Sequence, residues 1–253
     1  MLASRGFNVL ALAYFGEKGV SSSLAEIRLE YFERVFAWLA KNPVTDSKEL
    51  YVWGGSIGGE LALLLASRYP IITKVVAVNP HAYCLQGLTF KNVSSWSYGG
   101  KSLPFIKFAW RSFLADVINC FIKNKPFGLT YTYKKSVELA KNREEARIKI
   151  ENAQANILLF GGQKDDMWNT HDACVKVMEE LATHNYPYAY QYVTYENAGH
   201  ASYAPYIIPV GEMTAPMKIA PRLVFSPGGT LEGNAHALED SWEKTIEFFS
   251  QPK

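Results

Sequence analysis

Gly54-Gly55-Ser56-Ile57-Gly58 decides how this chain is read. The run fits G-x-S-x-G, the nucleophile elbow that sets a serine on a sharp turn between a strand and a helix. The flanks agree. Leu50-Tyr51-Val52-Trp53 before it is a short apolar run with strand character, and Glu60-Leu61-Ala62-Leu63-Leu64-Leu65-Ala66-Ser67 after it is rich in helix formers. Such a turn brings two backbones almost into contact, and Gly54, Gly58 and Gly59 supply the small residues it needs. A helix N-terminus then lies beneath Ser56, with free N–H groups suited to an oxyanion.

Outward from the elbow, strand-like and helix-like segments alternate, the pattern of a mostly parallel sheet with helices on both faces. Residues 1–5 read as the tail of a helix closed by Gly6, and residues 7–14 as a buried strand. Ser23 and Glu26 form a capping box for a helix carrying Leu24, Ile27, Tyr31, Val35 and Trp38 at helical spacing, ended by Pro43. The helix after Ser56 runs to Tyr69 and stops at Pro70. Strands follow at residues 75–78, 156–160 and 190–195, with helices over about 170–183 and about 234–250.

Between the strands at Val75 and Ile157 lie about eighty residues that break the alternation. They are dense in aromatics: Trp96, Tyr98, Phe105, Phe108, Trp110, Phe113, Phe121 and Phe127. A structureless loop of that length is rare, so residues 82–150 read as an inserted lid over the catalytic edge, with room for an apolar pocket. The whole chain, 1–253, reads as a single α/β domain.

The bulk composition narrows the function classes. Of 253 residues 48% are apolar and 20% charged, with a net charge of +2, and no basic run is long enough to suggest nucleic acid. Cys84, Cys120 and Cys174 are odd in number and widely spaced, which points to free thiols, a reducing, cytoplasmic setting and no metal site. Residues 9–15 faintly resemble a signal peptide but lack a cleavage site, and residues 105–127 are broken by Lys107, Arg111 and Asp116, so neither spans a membrane. The final residues, Ser250-Gln251-Pro252-Lys253, are no organelle address. Nothing in the chain calls for a cofactor.

A serine hydroxyl needs a base within hydrogen-bond reach, and the base needs an orienting carboxylate. In elbow-type hydrolases these follow in the order Ser, acid, His, each just past a strand end. Asp165 and Asp166 follow the strand ending at Phe160, and spacing does not choose between them. His200 follows the strand ending at Tyr195, in Glu196-Asn197-Ala198-Gly199-His200. His171, His184 and His236 fall on helices or their ends, and His81 comes too early in chain order to be the base.

Nearly end to end, the chain resembles the C-terminal α/β-hydrolase domain of the acyl-CoA thioesterase / bile acid-CoA:amino acid N-acyltransferase family. The motifs that carry the resemblance are Leu2-Ala3-Ser4-Arg5-Gly6-Phe7 with Leu10-Ala11-Leu12-Ala13-Tyr14-Phe15, Leu29-Glu30-Tyr31-Phe32-Glu33, and Gly55-Ser56-Ile57-Gly58-Gly59-Glu60-Leu61-Ala62. Further on come Ser94-Ser95-Trp96-Ser97-Tyr98 with Gly100-Lys101-Ser102-Leu103-Pro104, Ile150-Glu151 leading into Ile157, and Gly162-Gln163-Lys164-Asp165-Asp166-Met167-Trp168. Ala198-Gly199-His200 with Pro205-Tyr206 and Pro209, then Gly228-Gly229-Thr230, Asn234-Ala235 and Asp240-Ser241-Trp242, complete the likeness.

The resemblance implies Ser56 as nucleophile, His200 as base and the Ile57 N–H as an oxyanion donor. It favours Asp165 as the acid, because the family's acid precedes the tryptophan at 168 by three residues. It implies fatty acyl-CoA as substrate, hydrolysed through an acyl-serine under the aromatic lid. Family members that conjugate acyl groups to amino acids carry cysteine at the nucleophile position, so serine here points to hydrolysis. Lys101, Lys107 and Arg111 are candidates to meet CoA phosphates, and a solvated lid surface explains them equally well. The same triad would also suit a carboxylesterase or dienelactone-hydrolase-like enzyme.

Two departures from the family pattern stand out. The family's enzymes often carry an N-terminal β-sandwich, which does not precede Met1, and the hydrolase domain itself opens inside its first helix. The strand that would lie between residues 7–14 and 50–55, with the loop giving the second oxyanion N–H, is then missing. A fragment or misassigned start is the expectation. A complete chain would be weakly active, need a partner, or be a non-catalytic binding protein of hydrolase fold.

Overall fold

The computed structural model describes residues 1–46, 48–200, 205 and 207–252. Tyr206 of the histidine-loop resemblance and the terminal Lys253 lie outside the described residues. In chain order the elements are a 3-10 turn at Ala3–Arg5, β1 (Ile27–Arg28), α1 (Leu29–Leu39), β2 (Leu50–Gly55), α2 (Ile57–Arg68) and β3 (Ile72–Val78). Next come β4 (Trp96–Tyr98), β5 (Lys101–Ser102), α3 (Trp110–Lys123), α4 (Thr130–Leu139), α5 (Arg143–Ala146) and a second 3-10 turn at Ile150–Asn152. The chain continues through β6 (Asn156–Gly162), α6 (Thr170–Thr183), β7 (Tyr190–Tyr195), α7 (Val210–Thr214), β8 (Met217–Ala220), β9 (Leu223–Phe225) and α8 (Leu231–Ser250).

The central sheet is parallel throughout, in the order β2-β3-β6-β7. β3 is buried at every residue, as an inner parallel strand covered on both faces must be. Its side chains alternate between two cores. Val75 and Ala77, with Ile157 and Leu159 of β6, meet Leu61, Leu65, Cys174 and Leu181 of α2 and α6 on one face. Val76 and Val78, with Leu158 and Phe160, meet Ala237 and Phe249 of α8 on the other. The one lysine in β3, Lys74, is buried and ends on the last carbonyls of α8: its Nζ donates to Phe249 O at 3.3 Å and to Gln251 O. A cation there complements the negative end of the helix dipole.

Two expectations near the N-terminus fail. Residues 7–14 form no strand and are mostly exposed. A strand needs a ladder partner, and these residues make none with β2, whose only neighbour in the sheet among the described residues is β3. Ser23 and Glu26 do not cap a helix. Ile27–Arg28 instead pairs with Trp96 and Ser97 of β4, and α1 starts only at Leu29. Leu24 and Ile27 are buried, but in a bend and a strand rather than on a helix. The Glu26 carboxylate accepts from the Ser102 hydroxyl at 2.7 Å. Contact with residues seventy positions away has overridden a local capping signal.

The insertion after β3 divides in two. Its first part packs beside α1 and α2, anchored by Trp96, which is fully buried and donates from Nε1 to Glu60 Oε1 at 2.6 Å. Its second part, α3 and α4, lies on the acid loop: the Leu129 and Thr130 amides donate to Asp166 O at 2.6 and 3.2 Å. Phe113 and Phe127 pack in a small core with Phe225 of β9, a hairpin that sequence reading did not foresee. Tyr98, Trp110 and Phe121 are exposed. Two cavities near the strands' C-terminal ends, of about 10 and 430 Å³, are lined by none of the eight aromatics expected to form a pocket.

Candidate active site

Ser56 joins β2 to α2 with φ 58 and ψ −127, a left-handed setting that a serine rarely adopts. Such strain costs on the order of 1–3 kcal/mol and persists where the surroundings impose it. They do so here. The Ser56 amide donates to Val78 O at 2.8 Å, and its carbonyl accepts from the Gly59 and Glu60 amides. A Cβ on Gly54 would meet the Gly58 carbonyl oxygen at 2.0 Å, so the turn closes only with glycine at 54. Gly58 is not crowded in return: a Cβ there would meet only the Tyr14 hydroxyl, at 3.8 Å. The Ile57 N–H opens α2 and has no intrahelical acceptor, which leaves it available to an oxyanion.

The loops after β6 and β7 bring the other side chains to Ser56. His200 Nε2 lies 2.8 Å from Ser56 Oγ, and His200 Nδ1 lies 2.7 Å from Asp165 Oδ2. Spacing left Asp165 and Asp166 open; Asp165 is the one that reaches His200. Its other bonds fix it. Oδ1 accepts from the Met167 and Trp168 amides at 2.8 and 3.3 Å, and Oδ2 also accepts from the Thr170 hydroxyl. Asp166 turns away, accepting from the Ser226 hydroxyl at 2.8 Å, and burial pushes its pKa up. The Trp168 ring packs edge-on against His200 at 4.7 Å. With Asp165 accepting the Nδ1–H, Nε2 is left as the acceptor facing the serine hydroxyl.

Several bracing residues escaped the sequence reading. Asn79, at the end of β3 with φ 47, accepts from the Gly162 amide and donates to Gly199 O, so it ties the acid and histidine loops together. Asn234 at the start of α8 accepts from the Gly199 amide at 2.7 Å and donates to Gly228 O. The glycine doublets at 161–162 and 228–229 were the available signal. A Cβ on Gly199 would sit 2.2 Å from Gly228 backbone.

Glu60, one turn into α2, was read only as part of a helix and of the elbow resemblance. It is fully buried, and burial pushes its pKa up to about 8. Oε1 accepts from the Trp96 indole and the Leu85 amide, while Oε2 finds no partner among the described residues.

The remaining histidines stand outside the Ser56–His200–Asp165 chain. His171 bonds Tyr192, His184 lies by Glu180, and His236 packs on Tyr195. His81 sits beside Trp168, pushed down to about 4 by burial. Lys101, Lys107 and Arg111 are all exposed. Among the described residues, no helix is long and apolar enough to cross a membrane.

The family profile described as "BAAT / Acyl-CoA thioester hydrolase C terminal" matches residues 27–252. Human acyl-coenzyme A thioesterase 6 is 26% identical over 249 residues, covering 98% of this chain and 55% of that protein. Mouse bile acid-CoA:amino acid N-acyltransferase is 27% identical over 251 residues, covering 99% and 55%. The chain thus spans about half the length of the curated relatives it matches. A solved dienelactone hydrolase from Klebsiella pneumoniae, described as putative, aligns at TM-score 0.47 and 16% identity over 88% of this chain and 60% of that one. On the profile match the chain belongs to the BAAT / acyl-CoA thioester hydrolase C-terminal family, with an α/β-hydrolase fold.

Proposed function

We propose that this chain hydrolyses fatty acyl-CoA thioesters through an acyl-serine at Ser56. The observation that supports it most is the continuous chain Ser56 Oγ, His200, Asp165, at 2.8 and 2.7 Å, inside a family of acyl-CoA thioester hydrolases. His200 Nε2 takes the serine proton as Oγ attacks the thioester carbonyl carbon. The oxyanion forms near the Ile57 N–H. The imidazolium, held by Asp165, passes its proton to the departing CoA sulfur as the C–S bond breaks. Water, deprotonated by the same Nε2, then cleaves the ester and restores the serine. Buried, unpaired Cys84, Cys120 and Cys174 suit a reducing, cytoplasmic setting.

Relatives named as amino acid N-acyltransferases are as similar as those named thioesterases. A serine at 56 favours water, because an oxyester is less open to amines than a thioester. The test follows CoA release from a long-chain acyl-CoA with and without glycine or taurine, beside hydrolysis of short aryl esters. Free fatty acid as the dominant product, lost in Ser56→Ala, is expected. Amino acid conjugates or a strong preference for aryl esters would overturn the reading.

A further inference from the structure

Helix α3 is apolar on two faces, and the fold buries only one. Phe113, Val117 and Cys120 pack inward against Phe127, Leu223 and Phe225. On the adjoining face Trp110, Leu114, Ile118, Phe121 and Ile122 are exposed by 43, 58, 47, 50 and 76%. They run at helical spacing for about 18 Å. Phe90, 93% exposed, stacks on Trp110 at 5.7 Å and lengthens the stripe. The apolar arc of α3 is wider than the core it covers, and a contiguous exposed patch of this kind marks an interaction surface.

The charge around the stripe says what covers it. Residues 88–127 hold six lysines or arginines and one acid, in a chain whose whole net charge is +2. Lys91, Lys107, Arg111, Lys123 and Lys125 are all exposed. The single acid, Asp116, turns inward and accepts from the Thr132 hydroxyl at 2.6 Å. Two copies of this face would repel each other. An apolar stripe with aromatic residues and a basic border suits an anionic bilayer, where rings and aliphatic chains enter the headgroup boundary and lysines meet lipid phosphates and carboxylates.

We propose that α3 docks this protein on anionic membrane surfaces. The patch lies close to the candidate site. The segment after α3 leads into α4, whose first residue, Thr130, donates from its hydroxyl to the Asp165 carbonyl at 3.0 Å. A docked chain therefore holds its acid loop near the bilayer surface, where long-chain amphiphiles partition. The docking claim stands apart from the hydrolase reading, because binding is measured without turnover.

The experiment is co-sedimentation of the whole chain with phosphatidylcholine vesicles and with equimolar phosphatidylcholine–phosphatidylserine vesicles. Binding to the mixed vesicles at least about tenfold tighter than to the neutral ones is expected, weakening with salt. The pair Ile118→Ser with Phe121→Ser, and separately Lys107→Gln with Arg111→Gln and Lys123→Gln, should each lower it at least about tenfold. Circular dichroism and thermal melting establish that the variants stay folded. No binding, equal binding to both compositions, or folded variants that bind like the parent overturn the proposal. So does a concentration-dependent dimer, abolished by the Ser pair, in a chain that ignores vesicles.

Discussion

Two adjacent aspartates show what a single residue's surroundings decide. Spacing alone does not separate Asp165 from Asp166, the family resemblance favours Asp165, and the turn of the loop after β6 points Asp165 at His200. Asp165→Asn would offer a donor where an acceptor is needed and favour the wrong histidine tautomer, lowering kcat by about 10³–10⁴. Asp166→Asn should stay within about tenfold of the parent in the same CoA-release assay, because its carboxylate bonds Ser226. Glu60 yields a pH prediction. Its pKa rises from 4.5 to about 8 on folding. Across that window the folded state binds more protons than the unfolded one, so stability contributed by this group is full below the lower value and falls as pH rises. Chemical denaturation should show the parent losing a few kcal/mol relative to Glu60→Gln between about pH 5 and about pH 8. Parallel stability curves would contradict this. The burial of Glu60 was not legible beforehand, since a glutamate after an elbow reads as an ordinary helix former.

Among the elements, the elbow was the most legible because its requirements are local. Strand, small residues, serine and helix follow one another over residues 50–68, and the structure bears them out except at Gly58. The two glycines give opposite predictions. Gly54→Ala places a methyl on the Gly58 carbonyl and should destabilise by more than about 3 kcal/mol or prevent folding. Gly58→Ala, on a helix with open space, should be neutral or raise the melting temperature, alanine being favoured by up to about 1 kcal/mol in helices. Thermal unfolding of the two proteins checks both. The capping box at residues 23–26 misled for the opposite reason. Its meaning depended on Trp96 and Ser97, which claim Ile27 and Arg28 for a parallel pairing that no window around residue 27 contains. α3 was legible only as an aromatic-rich part of the insertion, not as a helix with one apolar face left open.

On the scale of the whole molecule, β3 and β6 followed from the sequence because buried parallel strands write themselves as apolar runs, and the edge strand β7 followed from its place in the strand–helix alternation. Sheet membership of residues 7–14 did not follow. An apolar run states a wish for burial, while a strand also needs a neighbour with open hydrogen-bonding groups. Hydrogen exchange should therefore find residues 72–78 and 156–162 slowest and residues 7–14 exchanged at the earliest time point, with β2 between. Protection at residues 7–14 equal to that of β3 would mean the run does join the sheet. The convergence of loops 56, 165 and 200 depends on this frame, and it was foreseeable in order but not in its bracing by Asn79 and Asn234.

The most direct measurement is rapid-quench mass spectrometry of the intact chain during turnover of a long-chain acyl-CoA. The account predicts a transient gain of one acyl group, mapped to the peptide containing Ser56 and absent in Ser56→Ala, with CoA release falling alongside. Undiminished CoA release by Ser56→Ala, or an acyl group found instead on Cys84, Cys120 or Cys174, would contradict it.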